Sequence, residues 1–262
     1  MERILMKDTK LNILVLDGGW SKGVYTLGVL KELELKLGSP LCNHFWLIYW
    51  TSTGSIIAAL IALGNNIQEI ERLYLDIIPK IMSHKTKTGR SNAIKEQAEK
   101  IFGDKKFDSF KTNIGIVALN LETQMPIIFK TDINQAHGMK QSFKPGFNCT
   151  IATAVMCSSA AYPFFNKVSI KTENHGEIET VDGGFIANNS TLYAIIDSYK
   201  SLGYKEKDIN LLNIGVGHYI ENSSWLFSKI IGRIGIFKFI ERVLIANTNS
   251  NIEGNFNLNL NK

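Results

Sequence analysis

Two kinds of hydrophobic pattern alternate along this chain. The first is a short, unbroken apolar run closed by a turn signal, as in "NILVL" (12–16) and "FWLIYW" (45–50). Runs of that length predict strands buried on both faces, as in a parallel sheet. The second is a longer stretch at helical spacing. "VYTLGVLKELELKLG" (24–38) predicts a helix closed by Gly38 and Pro40. "GSIIAALIALG" (54–64) is apolar all round and predicts a central helix, and "IQEIERLYLDIIPKIM" (67–82) an amphipathic one. A basic polar loop is expected over 83–92, then a helix over 93–103. Strands are expected over 113–122 and 125–131, and a helix of small residues over 149–165, ending at Pro163. A strand running into an Asp-Gly-Gly turn follows in "EIETVDGGFIANNS" (177–190). A helix over 191–203 and a strand over 209–217 complete the alternation.

Strand and helix in turn imply an α/β fold with a mostly parallel central sheet. From Ser223 to Ile245 one or two helices are expected around Gly232 and Gly235, with Lys229, Arg233, Lys238 and Arg242 not on one helical face. The last 16 residues, 247–262, hold seven asparagines and read as a flexible or truncated tail. With no internal repeat and no linker, one domain over 1–262 is the expected organisation.

Composition narrows the function classes. A net charge of +5 favours anionic surfaces only weakly. No dense Lys/Arg run with interleaved aromatics is present, so a nucleic acid polymer is not an expected partner. Cys42, Cys149 and Cys157 match no disulfide or metal spacing, and the simplest setting is a reducing, cytoplasmic one. The N-terminal apolar run is too short for a secretory signal, and no segment is long enough to span a membrane. No metal cluster and no cofactor motif stand out.

Three stretches carry candidate chemistry. In Trp50-Thr51-Ser52-Thr53-Gly54 a strand runs into a tight turn and a helix. Four of the five positions match the G-x-S-x-G elbow that lifts a nucleophilic serine out of a sheet. In "DGGWSKG" (17–23), Gly18, Gly19 and Gly23 let backbone N–H groups converge beside a helix N-terminus, and Lys22 adds a charge. Such a loop suits an anion or an oxyanion, yet it matches neither phosphate-loop pattern. In "VDGGF" (181–185), Asp182 stands at a strand end before Gly183 and Gly184. Taken singly, each has an ordinary reading: a helix N-cap, a glycine turn, a turn-capping aspartate.

Together, in this order, the three resemble the patatin-like phospholipases. That family carries D-G-G-G-x-[RK]-G after its first strand, then G-x-S-x-G, then D-G-[GA]. Further likeness lies in "SIIAALIALG" and in "ATAVMCSSAAYPFF", and the match runs over about 11–217. The resemblance implies a three-layer fold and a serine acyl hydrolase of membrane phospholipids. Ser52 would be the nucleophile, Asp182 its base, and the N–H groups of Gly18 and Gly19 the oxyanion donors. None of the five histidines (His44, His84, His137, His175, His218) sits in a motif for a triad base, which suits a dyad. The family also includes nucleotide-activated, membrane-degrading anti-phage effectors. A cyclic nucleotide activator and transient contact with a membrane surface are therefore implied as partners.

The chain departs from the family at two glycines, replaced by Trp20 in the loop and Trp50 in the elbow. Overpacking costs about 1–3 kcal/mol, and a displacement of about 1 Å in a catalytic group costs on the order of a hundredfold in rate. Either both indoles point outward and line an acyl pocket, or they crowd the site. In the second case the chain is a catalytically dead or engineered relative that binds lipid or a partner.

Overall fold

The computed structural model describes residues 10–19, 23–52, 54–137, 140–172 and 176–216. The helices expected from Ser223 to Ile245 and the asparagine-rich tail lie outside the described residues. The strands are β1 (Leu11–Leu16), β2 (Leu47–Thr51), β3 (Asn113–Asn120), β4 (Met125–Lys130), β5 (Val168–Thr172), β6 (Gly176–Asp182) and β7 (Ile209–Ile214). They form one sheet in the order β5-β6-β3-β2-β1-β7, with β4 paired to β3. The parallel part is β3-β2-β1-β7, whereas β4, β5 and β6 pair antiparallel. β5 was not expected from the sequence; its alternating burial lacks the continuous apolar run of β1 and β2.

Successive side chains of a strand face opposite sides of a sheet, and here the two sides differ. Leu14, Leu16, Ile48, Trp50, Ile114 and Ile116 pack under α1 (Gly23–Leu37), α2 (Gly54–Leu63), α3 (Ile67–Met82), α4 (Lys87–Phe102) and α5 (Ile151–Ser159). Leu11, Ile13, Val15, Leu47 and Tyr49 pack against α6 (Gly184–Ala187) and α7 (Thr191–Ile196). The result is three layers. The central helix α2 is buried from Gly54 to Ala62, in accord with its apolar circumference. Helix α4 begins six residues earlier than expected, at Lys87 rather than 93, because the Thr86 side chain accepts from the Gly89 N–H and caps it.

The register of β3 creates a seam. β4 occupies one edge of β3 from Gly115 to Asn120. β2 pairs with 113–117 and β6 with 118–120, so both must share the other edge. β2 runs parallel to β3 and β6 antiparallel, so their C-terminal ends meet in one lane. The last pair of β2 is Thr51 with Val117, and Asp182 of β6 pairs with the next residue, Ala118. Ser52 and Asp182 are thus brought together by strand register.

On the α6–α7 face, a polar cluster is built around Asp197, in the π turn Asp197–Ser201 that follows α7. The carboxylate is 1% exposed and accepts from Lys130 Nζ at 2.6 Å, from Gln135 Nε2 at 3.2 Å and from the Tyr49 hydroxyl, and it lies 2.5 Å from His137 Nε2. Burial pushes the Tyr49 pKa well above its ordinary value, and the adjoining carboxylate adds to the shift. Burial lowers the Lys130 pKa, against the opposing pull of Asp197. The cluster ties β2 and β4 to the α7 segment.

Removing the central carboxylate leaves the half-buried Lys130 ammonium without its counter-charge. Asp197→Ala is expected to cost about 3–5 kcal/mol in urea unfolding; a loss below about 1 kcal/mol would show that the cluster does not hold α7. The raised Tyr49 pKa sets a further expectation. Above a pH of about 10 the unfolded chain releases this proton while the folded chain keeps it. Stability therefore falls as pH rises, by up to about 1.4 kcal/mol per pH unit for this group, and Tyr49→Phe removes that share of the slope.

Candidate active site

Ser52 follows β2 with φ of +65°, a left-handed conformation uncommon outside glycine. Such a conformation persists only where its surroundings enforce it. The Ser52 N–H donates to Ser158 Oγ at 2.9 Å, and the Ser52 carbonyl accepts from the Ser55 N–H at 2.8 Å. Ser52 Oγ donates to Asp182 Oδ2 at 2.6 Å, directly and with no histidine between them. Both residues are 3% exposed.

Asp182 is held as firmly. Its N–H donates to the Ala160 carbonyl at 3.0 Å, and its Oδ1 accepts from the Gly184 N–H at 2.7 Å. The Gly183 N–H donates to the Ser158 carbonyl at 3.3 Å. A Cβ on Gly183 would lie 2.2 Å from the Val117 carbonyl oxygen, so the chain crosses the seam only with glycine there. Oδ1 is thereby spent on the turn, and Oδ2 faces the serine. A carboxylate so oriented can take a proton from Ser52 Oγ.

The glycine loop meets this pair from the end of β1. A Cβ on Gly18 would stand 3.2 Å from Ser52 Cβ and 2.6 Å from Asn188 Oδ1. The Gly18 N–H donates to the Asn188 carbonyl at 2.9 Å. It is therefore not free for an oxyanion in this conformation, which alters the expectation that Gly18 and Gly19 act together. The Gly19 N–H has no hydrogen-bond partner among the described residues. Gly23 starts α1 against the Tyr74 hydroxyl. The Thr51 hydroxyl donates to the Ala187 carbonyl at 2.8 Å, joining the elbow to α6. Trp20, Lys22 and Thr53 lie outside the described residues, as do His175 and His218.

Trp50 corrects one expectation. Its side chain is fully buried and does not line an outward-facing acyl pocket. The indole lies against α2, with Nε1 1.4 Å from where a Cβ on Gly54 would be. The glycine at 54 makes the room that the tryptophan at 50 fills. Trp50 Nε1 has no hydrogen-bond partner among the described residues, an uncompensated desolvation.

Cys157, also buried in α5, has its thiol pushed up to about 12 by burial and stays protonated at neutral pH. Among the described residues no group of His, Cys, Asp and Glu is placed to hold a metal, and no helix is long and apolar enough to cross a membrane. Sequence reasoning missed Ser158, Ala160 and Asn188 as supports of the site. The only signal for the first two was the run of small residues in "CSSAAYP", which reads from sequence as part of a small-residue helix and of the family likeness.

The family model for the patatin-like phospholipases matches residues 14–195. The chain is 44% identical over 243 residues to a cUMP-AMP-activated phospholipase of Escherichia coli, covering 93% of this chain and 76% of that protein. It is 24% identical to a cGAMP-activated phospholipase of Vibrio cholerae, over 93% of this chain and 75% of the relative. Among solved structures, VipD of Legionella pneumophila superposes with a TM-score of 0.51 at 13% identity, covering 85% of this chain and 52% of VipD, a likeness of fold alone.

The Trp50–Gly54 contact predicts a change of sign. Gly54→Ala should destabilise the chain by about 1–3 kcal/mol through overpacking. In a Trp50→Gly background, itself costing about 3–5 kcal/mol through the cavity, the same alanine should be neutral or stabilising by up to about 1 kcal/mol. Thermal unfolding of the two single variants and the double variant checks this; additive losses would mean that the indole does not rest on Gly54.

Proposed function

The chain belongs to the patatin-like phospholipase family, and from that premise we propose that it cleaves ester bonds of membrane phospholipids with Ser52 as nucleophile and Asp182 as general base. The observation that carries this reading is the 2.6 Å hydrogen bond from Ser52 Oγ to Asp182 Oδ2, made across the seam by a serine at positive φ. Asp182 Oδ2 takes the hydroxyl proton as Oγ attacks the ester carbonyl. We assign the Gly19 N–H, next to the Gly18 that meets Ser52, as a donor to the developing oxyanion. Asp182 returns the proton to the leaving alcohol, and the acyl group stays on Oγ. Water, deprotonated by Asp182, then releases the fatty acid and restores the serine.

We further propose that the chain rests closed and opens on a signal. Ser52 and Asp182 are each 3% exposed, which supports a site that a phospholipid reaches only after a rearrangement. The relative 44% identical is named for activation by cUMP-AMP, which favours a cyclic dinucleotide as that signal. A membrane-degrading, anti-phage role fits such control. The competing reading, a non-catalytic lipid or partner binder, rests on Trp20 and Trp50. Trp50 packs into the core against Gly54, which leaves Trp20 to carry that reading.

The test uses a fluorophosphonate probe and fluorogenic phospholipid vesicles, with and without cUMP-AMP. Ser52 should be labelled and lipid hydrolysed, both rising with the nucleotide. Ser52→Ala should abolish both, and Asp182→Asn should lower kcat by about 10²–10⁴. Hydrolysis that survives Ser52→Ala would sink the dyad. Activity that emerges only in Trp20→Gly would establish the non-catalytic reading for the chain as it stands.

A further inference from the structure

We infer that Ser158 is a positioning residue of the dyad: its hydroxyl and its carbonyl hold the turns of Ser52 and Asp182 to one another across the seam. The inference rests on the Ser52–Asp182 reading and adds a residue to it. Ser158 is wholly buried at the end of α5. A serine hydroxyl has one proton to give and lone pairs to receive, and here both capacities are used. Ser158 Oγ donates to the Val117 carbonyl at 2.6 Å and accepts the Ser52 N–H at 2.9 Å. Its own carbonyl, near the C-terminal end of a helix where carbonyls lack intrahelical partners, accepts the Gly183 N–H at 3.3 Å.

Each of these partners lies where β2 and β6 meet on β3 or just beyond their ends. Val117 stands at the seam, paired with the last residue of β2 and followed by the first β3 partner of Asp182. The Ser52 N–H, just past the last pair of β2, goes to Ser158, and the positive φ of Ser52 turns the chain that follows away from the strand. One buried hydroxyl therefore satisfies the strand break and locks the nucleophile's backbone in the conformation that aims Oγ at Asp182. The bonds run in series from the Ser52 N–H through Ser158 to Val117, and such chains polarise and strengthen one another. With alanine at 158, two buried backbone groups lose their partner, and nothing of the side chain opposes relaxation of Ser52.

Ser159 provides an internal control. It too is wholly buried, but its hydroxyl lies 3.4 Å from Ser55 Oγ rather than on Ser52. The experiment compares Ser158→Ala, Ser158→Cys and Ser159→Ala in the full chain. The readouts are kcat and KM on fluorogenic phospholipid vesicles, the rate of fluorophosphonate labelling, and hydrogen exchange of the peptide containing residue 52. Ser158→Ala should lower kcat and the labelling rate by about tenfold to a hundredfold, the scale of a displacement of up to about 1 Å. KM should stay within about twofold, and exchange at the elbow should accelerate. Ser158→Cys, a weaker donor and acceptor, should fall between, and covers the case in which the alanine variant does not fold. Ser159→Ala should keep kcat within about twofold and leave elbow exchange unchanged. Equal loss of kcat in the two alanine variants, or Ser158→Ala at the parent kcat, overturns the inference. A parent chain that neither labels nor hydrolyses overturns the hydrolase reading instead. In that event unchanged elbow exchange in Ser158→Ala overturns the positioning role, and accelerated exchange supports it.

Discussion

Two strands share one edge of β3 and stop where they meet. β2 arrives from one end and β6 from the other, and Val117 and Ala118 are the adjoining residues that receive them. A sheet has no regular way to continue through such a junction, because both incoming chains must leave its plane at once. β2 leaves through Ser52 at positive φ, and β6 leaves through Gly183, whose missing Cβ lets it pass the Val117 carbonyl. The backbone groups exposed by both departures need partners in a dry interior. Ser158 and Ala160, at and just beyond the end of α5, supply them. The proximity of a hydroxyl and a carboxylate so distant in sequence is a by-product of this topology, and the chemistry proposed for them uses it.

The layers on either side of the sheet stabilise the seam differently. On the α1–α5 side the support is apolar: Trp50 fills the space over Gly54 and seats α2 on the strand that carries the elbow. On the α6–α7 side it is polar: Tyr49, one residue earlier in the same strand, reaches Asp197. That cluster fixes the segment after Asp182, from which Asn188 and Ala187 hold the glycine loop and Thr51. Adjacent residues of one short strand thus anchor the two outer layers, and the elbow at the end of that strand inherits both constraints.

Much of this was legible in the sequence. The unbroken runs of β1 and β2 announced a parallel sheet, and the three ordered motifs located Ser52, Asp182 and the glycine loop. What escaped has physical reasons. β5 has only alternate buried residues and sits at the sheet's edge, so its pattern is weak. The start of α4 depended on a capping threonine inside a stretch whose lysines and polar residues read as loop. Trp50 looked like an obstruction because its position was compared with a family pattern one residue at a time. Its indole packs on Gly54, the last position of the same motif, a contact that a position-by-position comparison does not show. The Asp197 cluster joins residues 49, 130, 135, 137 and 197, none of which is notable alone.

Ser52 and Asp182 are 130 residues apart, and the strand that carries the aspartate pairs with β3 only at its very end. During synthesis the serine, its strand and the α2 helix emerge from the ribosome long before the carboxylate does. A chain ended before β6 holds the serine hydroxyl without the carboxylate that it bonds in the complete sheet. The pair at the seam can therefore form only once β6, the sixth strand in chain order, has been delivered.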